Sequence, residues 1–223
     1  IAMGLGLLLG QAGQISLGQA AFAGIGAFTA GILTKSFDQP PLVGVIAGTF
    51  AATVVALVIS RPILKLKGYF LALATLGLGE IFVVIVRQHK HFFDGTVGIV
   101  SLPHFSIGAL SFASYEAQYY LAWFVVFALL FLSERALRSR VGRALRALSS
   151  SETAASTLGV RAAGWKLQAF VIGAAMAGLA GGFFAYFMSA VVYNSFTGQL
   201  SLVIMIMVLV GGVSSLTGAV IGA

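Results

Sequence analysis

The strongest constraint on this chain is where its charges are missing. Residues 1–34, 42–60 and 167–223 contain no Asp, Glu, Lys or Arg. Each run meets the roughly 18–20 apolar residues that a helix needs to cross a bilayer. In hydrocarbon the backbone N–H and C=O groups must be satisfied within the segment, so such runs become helices. At 59% hydrophobic and 9% charged, the 223 residues lack the polar surface of a soluble domain. The expected fold class is all-α: a polytopic transmembrane helical bundle, with residues 1–223 forming one domain.

Thirteen Lys and Arg against six Asp and Glu give a net charge of +7. Topology accounts for this excess better than nucleic acid does. Arg61, Lys65 and Lys67 form one basic group; Arg135, Arg138, Arg140, Arg143, Arg146, Arg161 and Lys166 form another. The positive-inside rule places both loops, 61–67 and 134–166, in the cytoplasm. The segments 34–41, 87–116 and 189–199 then fall outside, and the alternation is consistent throughout. Without cysteine, no disulfide or thiolate–metal framework is available. Ile1–Leu9 lacks the charged start of a signal peptide. The chain opens on Ile1 and stops inside apolar sequence, as expected of a fragment truncated at both ends.

The first uncharged run is too long for one span. Gly10, Gly13 and Gly18, with Gln11, Gln14, Ser16 and Gln19, predict a broken or re-entrant N-terminal helix, interrupted near 10–18. A helix follows over about 17–33, with Ala20, Gly24, Ala27 and Gly31 on one close-packing face. Further spans are expected at 42–60, 68–86 and 117–133, the last anchored by Tyr119, Tyr120 and Trp123. Residues 167–223 are expected to hold two spans, divided by a turn near 194–199. Within them Ala169, Gly173, Ala177 and Ala180, and the Gly178–Gly182 pair, predict close packing. One word occurs twice: Gly-Gln-Ile-Ser-Leu at 13–17 and Gly-Gln-Leu-Ser-Leu at 198–202. Internal repeats in transporters place polar helix breaks near the site, and apolar composition also produces such matches by chance.

Four groups of residues are candidates for function. The break would expose backbone groups along a pathway, with Gln14, Ser16 and Gln19 lining it and Ser16 capping the helix that starts at Leu17; a tight turn at the membrane surface is the alternative. Glu80 lies deep in the third span, about 18 Å from Gly68 at the usual 1.5 Å rise. A carboxylate there needs a wet cavity or a partner, as a pathway contact or as an interhelical bond that fixes packing. Ser149 and Glu152 have the spacing of a capping box, and Gly159 suits a left-handed C-terminal cap before Val160. They bound a small-residue helix at 150–158 that fits a docking surface better than a lipid-lying face. His89, His91 and Asp94 are better explained as solvated loop residues than as metal ligands. No catalytic residue, metal or cofactor is expected: the chain has no P-loop and no H-E-x-x-H.

The segment GRALRALSSSETAASTLGVRAAGWKLQAFVIGAAMAGLAGG at 142–182 resembles the cytoplasmic coupling loop of ABC importer permeases. GQISLGQAAFAGIGAF at 13–28, LKLKGYFLALATLGLGEI at 64–81 and GGVSSLTGAVIGA at 211–223 are similar to the LivM-type permease of branched-chain amino acid ABC importers. FFDGTVGI at 92–99 departs from the family's usual Thr-Gly-Gly run, and Ser214 and Ala219 stand where Gly and Pro are common. The resemblance implies that Glu152, Ala154, Ala155 and Gly159 form the E-x-A-A-x-x-x-G contact with an ATPase. It implies a second permease subunit, two ATP-binding subunits, an external solute-binding protein and a bacterial inner membrane. A permease for urea or short amides, an ion-coupled secondary transporter and a membrane assembly factor are the alternatives.

Overall fold

The computed structural model describes residues 1–66, 68–89, 98–107, 110–157, 159, 161–213 and 215–223. Ten α-helices lie among them: α1 Ala2–Gly6, α2 Gln19–Phe37, α3 Pro41–Ile63, α4 Tyr69–Gln88, α5 Tyr115–Arg138, α6 Arg140–Ser150, α7 Glu152–Thr157, α8 Ala162–Phe187, α9 Gly198–Gly211 and α10 Leu216–Ile221. Of these, α2, α3, α4, α5 and α8 are long and apolar enough to cross a membrane. The protein is an all-α polytopic bundle.

The core is α2, α3 and α8, packed backbone to backbone. A Cβ on Gly26 of α2 would strike the Gly178 carbonyl of α8, and one on Gly181 would strike the carbonyl of Ala23. Gly48 of α3 is equally tight against Gly26. Ala23, Ala27, Ala52, Ala174 and Ala177 have no exposed surface. Lipid tails are as apolar as leucine, so such close approach, through dispersion contacts, holds membrane helices together. Towards one end, Tyr186 of α8 is buried over Gly44, 2.7 Å from the Thr34 hydroxyl, and donates to the Ala30 carbonyl at 3.2 Å. These bonds satisfy its phenol where water is absent.

By contrast, α5 leans on this core and shows Phe124, Phe127, Phe131 and Leu132 outward, as a lipid-facing helix should. Ser114 caps its start by accepting from the Ala117 N–H at 3.2 Å, and Arg135 and Arg138 fill its last turn, where the dipole favours cations. Tyr119, Tyr120 and Trp123 stack edge to face along its first half.

The loops gather at two ends. Leu64, Leu66, Gly68, Ser149, Glu152 and Lys166 line one cleft, so the two basic loops share an end. At the opposite end β1 (Ile99–Val100) pairs antiparallel with β2 (Ala190–Val191), in register Ile99–Val191. A two-residue hairpin, Ser106–Ile107 with Leu110–Ser111, sits beside it. The sequence did not announce these short ladders. They satisfy backbone groups of a polar segment that has no helix to do so.

Residues 167–223 contain one full span rather than two. α8 crosses, but α9 has only 14 residues and turns back through Gly212 into the six-residue α10. At 1.5 Å per residue α9 is about 21 Å long, short of a hydrocarbon core of about 30 Å. Gly211 and Gly218 bring α9 and α10 into backbone contact. Ser214 lies outside the described residues.

Candidate functional site

The break in the first uncharged run is real. α1 loosens into a π-helical turn at Leu7–Gln11, and residues 13–18 are not helical. Gly13 adopts φ +63°, a left-handed conformation that glycine enters without steric cost. The Gln14 N–H reaches back to the Leu8 carbonyl at 3.0 Å, which closes the turn.

The restart of the helix differs from the expected one. α2 begins at Gln19, with Gly18 as its N-cap, and Ser16 does not cap it. The Ser16 hydroxyl makes only a long local contact, 3.5 Å from the Gly18 N–H. Distant residues satisfy the freed donors instead. Thr75 of α4 accepts from the Leu17 N–H at 2.8 Å while donating to carbonyls of its own helix. Ser201 of α9 accepts from the Ala20 N–H at 3.1 Å. A six-residue gap leaves more N–H groups than its own side chains can reach, so neighbouring helices supply the acceptors.

Gln14, Ser16 and Gln19 are 3%, 1% and 1% exposed. Neither amide atom of Gln14 or Gln19 has a hydrogen-bond partner among the described residues. Leaving a buried amide unsatisfied costs about 1–3 kcal/mol. Gln14 lines the cleft of about 170 Å³ that Ser149, Glu152 and Lys166 also line. The Cβ position of Gly13 lies 3.5 Å from Ser149 Cα. The break therefore touches the loop helices directly.

Glu80 does not join this group. It is exposed on the isolated chain, and its carboxylate lies 2.8 Å from the Cβ position of Gly198, at the first turn of α9. The free N–H groups there favour a negative charge. Thr75 and Glu80 are five residues apart on α4 and serve the starts of α2 and α9 respectively.

The predicted coupling segment consists of two helices. Ser151 is extended, at φ −161°, and separates α6 from α7. The Ser149–Glu152 capping box does not form, because Ser149 lies inside α6 and donates to the Arg146 carbonyl at 2.9 Å. Ser151 takes the boundary instead, its carbonyl accepting from the Ala155 N–H at 3.0 Å. Glu152 pairs with Lys166 of α8 at 2.8 Å, and Ala155 is buried. Both face the body of the protein. Ala154 lies in α7, and Thr153, Thr157 and Gly159 are exposed. Gly159 has φ +81° and open space where a Cβ would be, as the predicted cap requires. Leu158 and Val160 lie outside the described residues.

His91 and Asp94 also lie outside them. The ring of His89 is 3.1 Å from the Ile85 carbonyl, at the end of α4. Among the described residues no three His, Cys, Asp or Glu converge as a metal site. Sequence inspection missed Thr75 and Lys166 as site residues. Nothing marks a threonine inside an apolar span as a remote cap, and Lys166 registered only as a topological charge. Ser201 had a signal, the repeated Gly-Gln-x-Ser-Leu word.

The profile of the family described as "Branched-chain amino acid transport system / permease component" matches residues 1–223. The high-affinity branched-chain amino acid transport system permease protein LivM of Salmonella typhimurium is 30% identical over 251 residues, covering all of this chain and 58% of the relative. LivM of Escherichia coli is 31% identical over 247 residues with the same coverage. The probable LivH permease protein of Methanocaldococcus jannaschii is 26% identical over 232 residues, covering all of the chain and 72% of the relative. The chain thus spans 58% of the length of the two LivM relatives. No solved structure matches it significantly. With its five membrane-length apolar helices, the chain is a multi-pass inner-membrane protein and belongs to the family of branched-chain amino acid transport permeases.

Proposed function

We propose that this chain forms the translocation path of a bacterial ABC importer for branched-chain or related hydrophobic amino acids. The family match over residues 1–223 supports the class. The observation that carries the mechanism is the contact between the helix break and the loop helices, Gly13 against Ser149. A second permease subunit, two ATP-binding subunits and an external solute-binding protein complete the machine. ATP hydrolysis takes place on the separate subunits.

In this scheme α6 and α7 lie in the cytoplasm and receive the motion of the ATPases. Thr153, Thr157 and Gly159 form the exposed docking edge, with Ala154 between them in α7. Glu152 and Ala155 work inward: the Glu152–Lys166 pair ties α7 to α8, so a push on α7 moves α8 and the residues lining the cleft. Rigid-body motion of packed helices is an established way of switching access. The unpartnered amides of Gln14 and Gln19, with Ser16, supply weak polar contacts for a solute in transit, and Glu80 marks the outer approach. Weak contacts suit a path that must release its cargo.

Reconstitution with the partner subunits in proteoliposomes tests this. Leucine uptake should require ATP. Uptake of urea or acetamide in place of leucine would overturn the substrate class, and uptake driven by an ion gradient without ATP would overturn the mechanism. Gly159→Val should insert normally yet fail to co-purify with the ATPase, because a β-branched residue resists positive φ. Normal co-purification and normal ATPase stimulation in this variant would remove α7 from the docking surface.

A further inference from the structure

We propose that the end of α5 and the start of the α6–α7 loop form a binding site for one anionic phospholipid of the cytoplasmic leaflet. A polar cleft of about 270 Å³ opens there, lined by Arg138 and Arg146 and by the hydroxyl-bearing Ser215 and Thr217. Glu134 lines it too, and is held by Arg138 at 3.7 Å on the exposed face of α5. Among the described residues Arg146 has no ion-pair partner. The cleft therefore keeps one positive charge in excess, at the C-terminal end of α5.

An apolar groove of about 320 Å³ adjoins it between α5 and α8, and Leu137 lines both spaces. The groove runs from Leu137 to Leu129 on α5, about 12 Å at the helical rise. Its walls are apolar apart from Thr49 of α3, whose hydroxyl donates to the Val45 carbonyl, and Ser133. Ser133 is 4% exposed, and its hydroxyl has no partner among the described residues. A guanidinium-lined cleft continuous with an apolar groove, with a free hydroxyl near their junction, matches a phosphate, an acyl chain and an ester carbonyl. Basic pockets between helices on the cytoplasmic side bind anionic headgroups in this way, and guanidinium groups suit phosphate geometry. A soluble phosphate would use the cleft and leave the groove empty. An acidic protein surface would use the exposed arginine row of α6 without needing Ser133.

The test uses the purified full-length protein in detergent, titrated with phosphatidylglycerol, phosphatidylcholine or inorganic phosphate and followed by native mass spectrometry and thermal unfolding. One phosphatidylglycerol should bind and raise the unfolding temperature, and phosphatidylcholine should not. Arg138→Gln with Arg146→Gln should weaken retention about thirtyfold, as expected for two basic contacts. Arg140→Gln with Arg143→Gln removes the same charge outside the cleft and should leave retention unchanged. Ser133→Val, which removes the hydroxyl and narrows the groove, should weaken retention without altering the charge. Equal loss in both arginine pairs would reduce the effect to bulk electrostatics and overturn the site. Equal stabilisation by phosphatidylcholine, or by phosphate alone, would overturn it as well. Unchanged lipid retention in Arg138→Gln/Arg146→Gln, with loss of ATPase co-purification, would hand the arginines to a protein partner instead.

Discussion

The two Gly-Gln-x-Ser-Leu words are linked through the Ser201–Ala20 hydrogen bond but take different conformations. At 13–17 the chain is unwound, Gly13 sits at φ +63°, and Gln14 is buried with both amide atoms unpartnered. At 198–202 the word forms the first turn of α9, and Gln199 is exposed. The serines differ most. Ser16 makes a long local contact, whereas Ser201 reaches the Ala20 N–H, in the helix that follows the other copy. One copy thus creates donors that the other helps to satisfy. Near-identical words acquire opposite structural roles because burial and neighbours select the conformation. The unwound copy also carries the polar groups that an empty path would present.

The comparison breaks first at the glutamines. Gln14→Leu should lower leucine uptake at least about tenfold while leaving stability unchanged or raised, since removing an unsatisfied buried amide recovers about 1–3 kcal/mol. Gln199→Leu should alter neither by much. Uptake in proteoliposomes alongside thermal unfolding measures both, and equal transport in the two variants would dissolve the distinction.

The glycines come next. Gly13→Val forces a β-branched residue to positive φ, at a cost of about 1–2 kcal/mol, and should impair uptake through the strained break. Gly198→Ala meets only the end of the Glu80 side chain, which can swing aside, so its effect should be smaller. A larger loss in Gly198→Ala would show that the helical copy is the more constrained one.

The two serines give an intermediate effect. Ser201→Ala should cost about 1 kcal/mol of stability, the usual value for a lost N-terminal cap. Ser16→Ala should cost less, because its contact is long. Denaturation of the two variants side by side would reverse the assignment of the cap if Ser16→Ala proved the worse.

The smallest effect is expected at Glu80. Glu80→Gln should assemble and lose about 0.3–1 kcal/mol, the worth of a charge at a helix N-terminus. Unfolding at low and high salt checks this, since screening should shrink the difference between wild type and variant. A difference that salt leaves untouched would point to a contact other than the dipole of α9.

Much of the architecture was legible in the residues. Uncharged runs of membrane length specify helices, because hydrocarbon offers the backbone no other partner. The clustered Lys and Arg placed 61–67 and 134–166 at one end, where a shared cleft now joins them. Three glycines within nine residues marked the break, and Gly159 marked its own left-handed cap. These are local signals: each depends on the chemistry of a few consecutive residues.

The pairings were decided only by the tertiary structure. Which hydroxyl caps α2, whether Glu152 reaches back to Ser149 or across to Lys166, and which helix end Glu80 approaches all depend on distant segments. Hydrogen bonds and ion pairs reach about 3 Å, so a partner is chosen by the helix that packing brings within that distance. Small residues permit such packing at many registers, and which helices touch emerges only when Gly26, Gly178 and Gly181 close the core. The same reason makes α9 short: its segment is uncharged and apolar, but the turn at Gly212 and the contact of Gly211 with Gly218 fold it back.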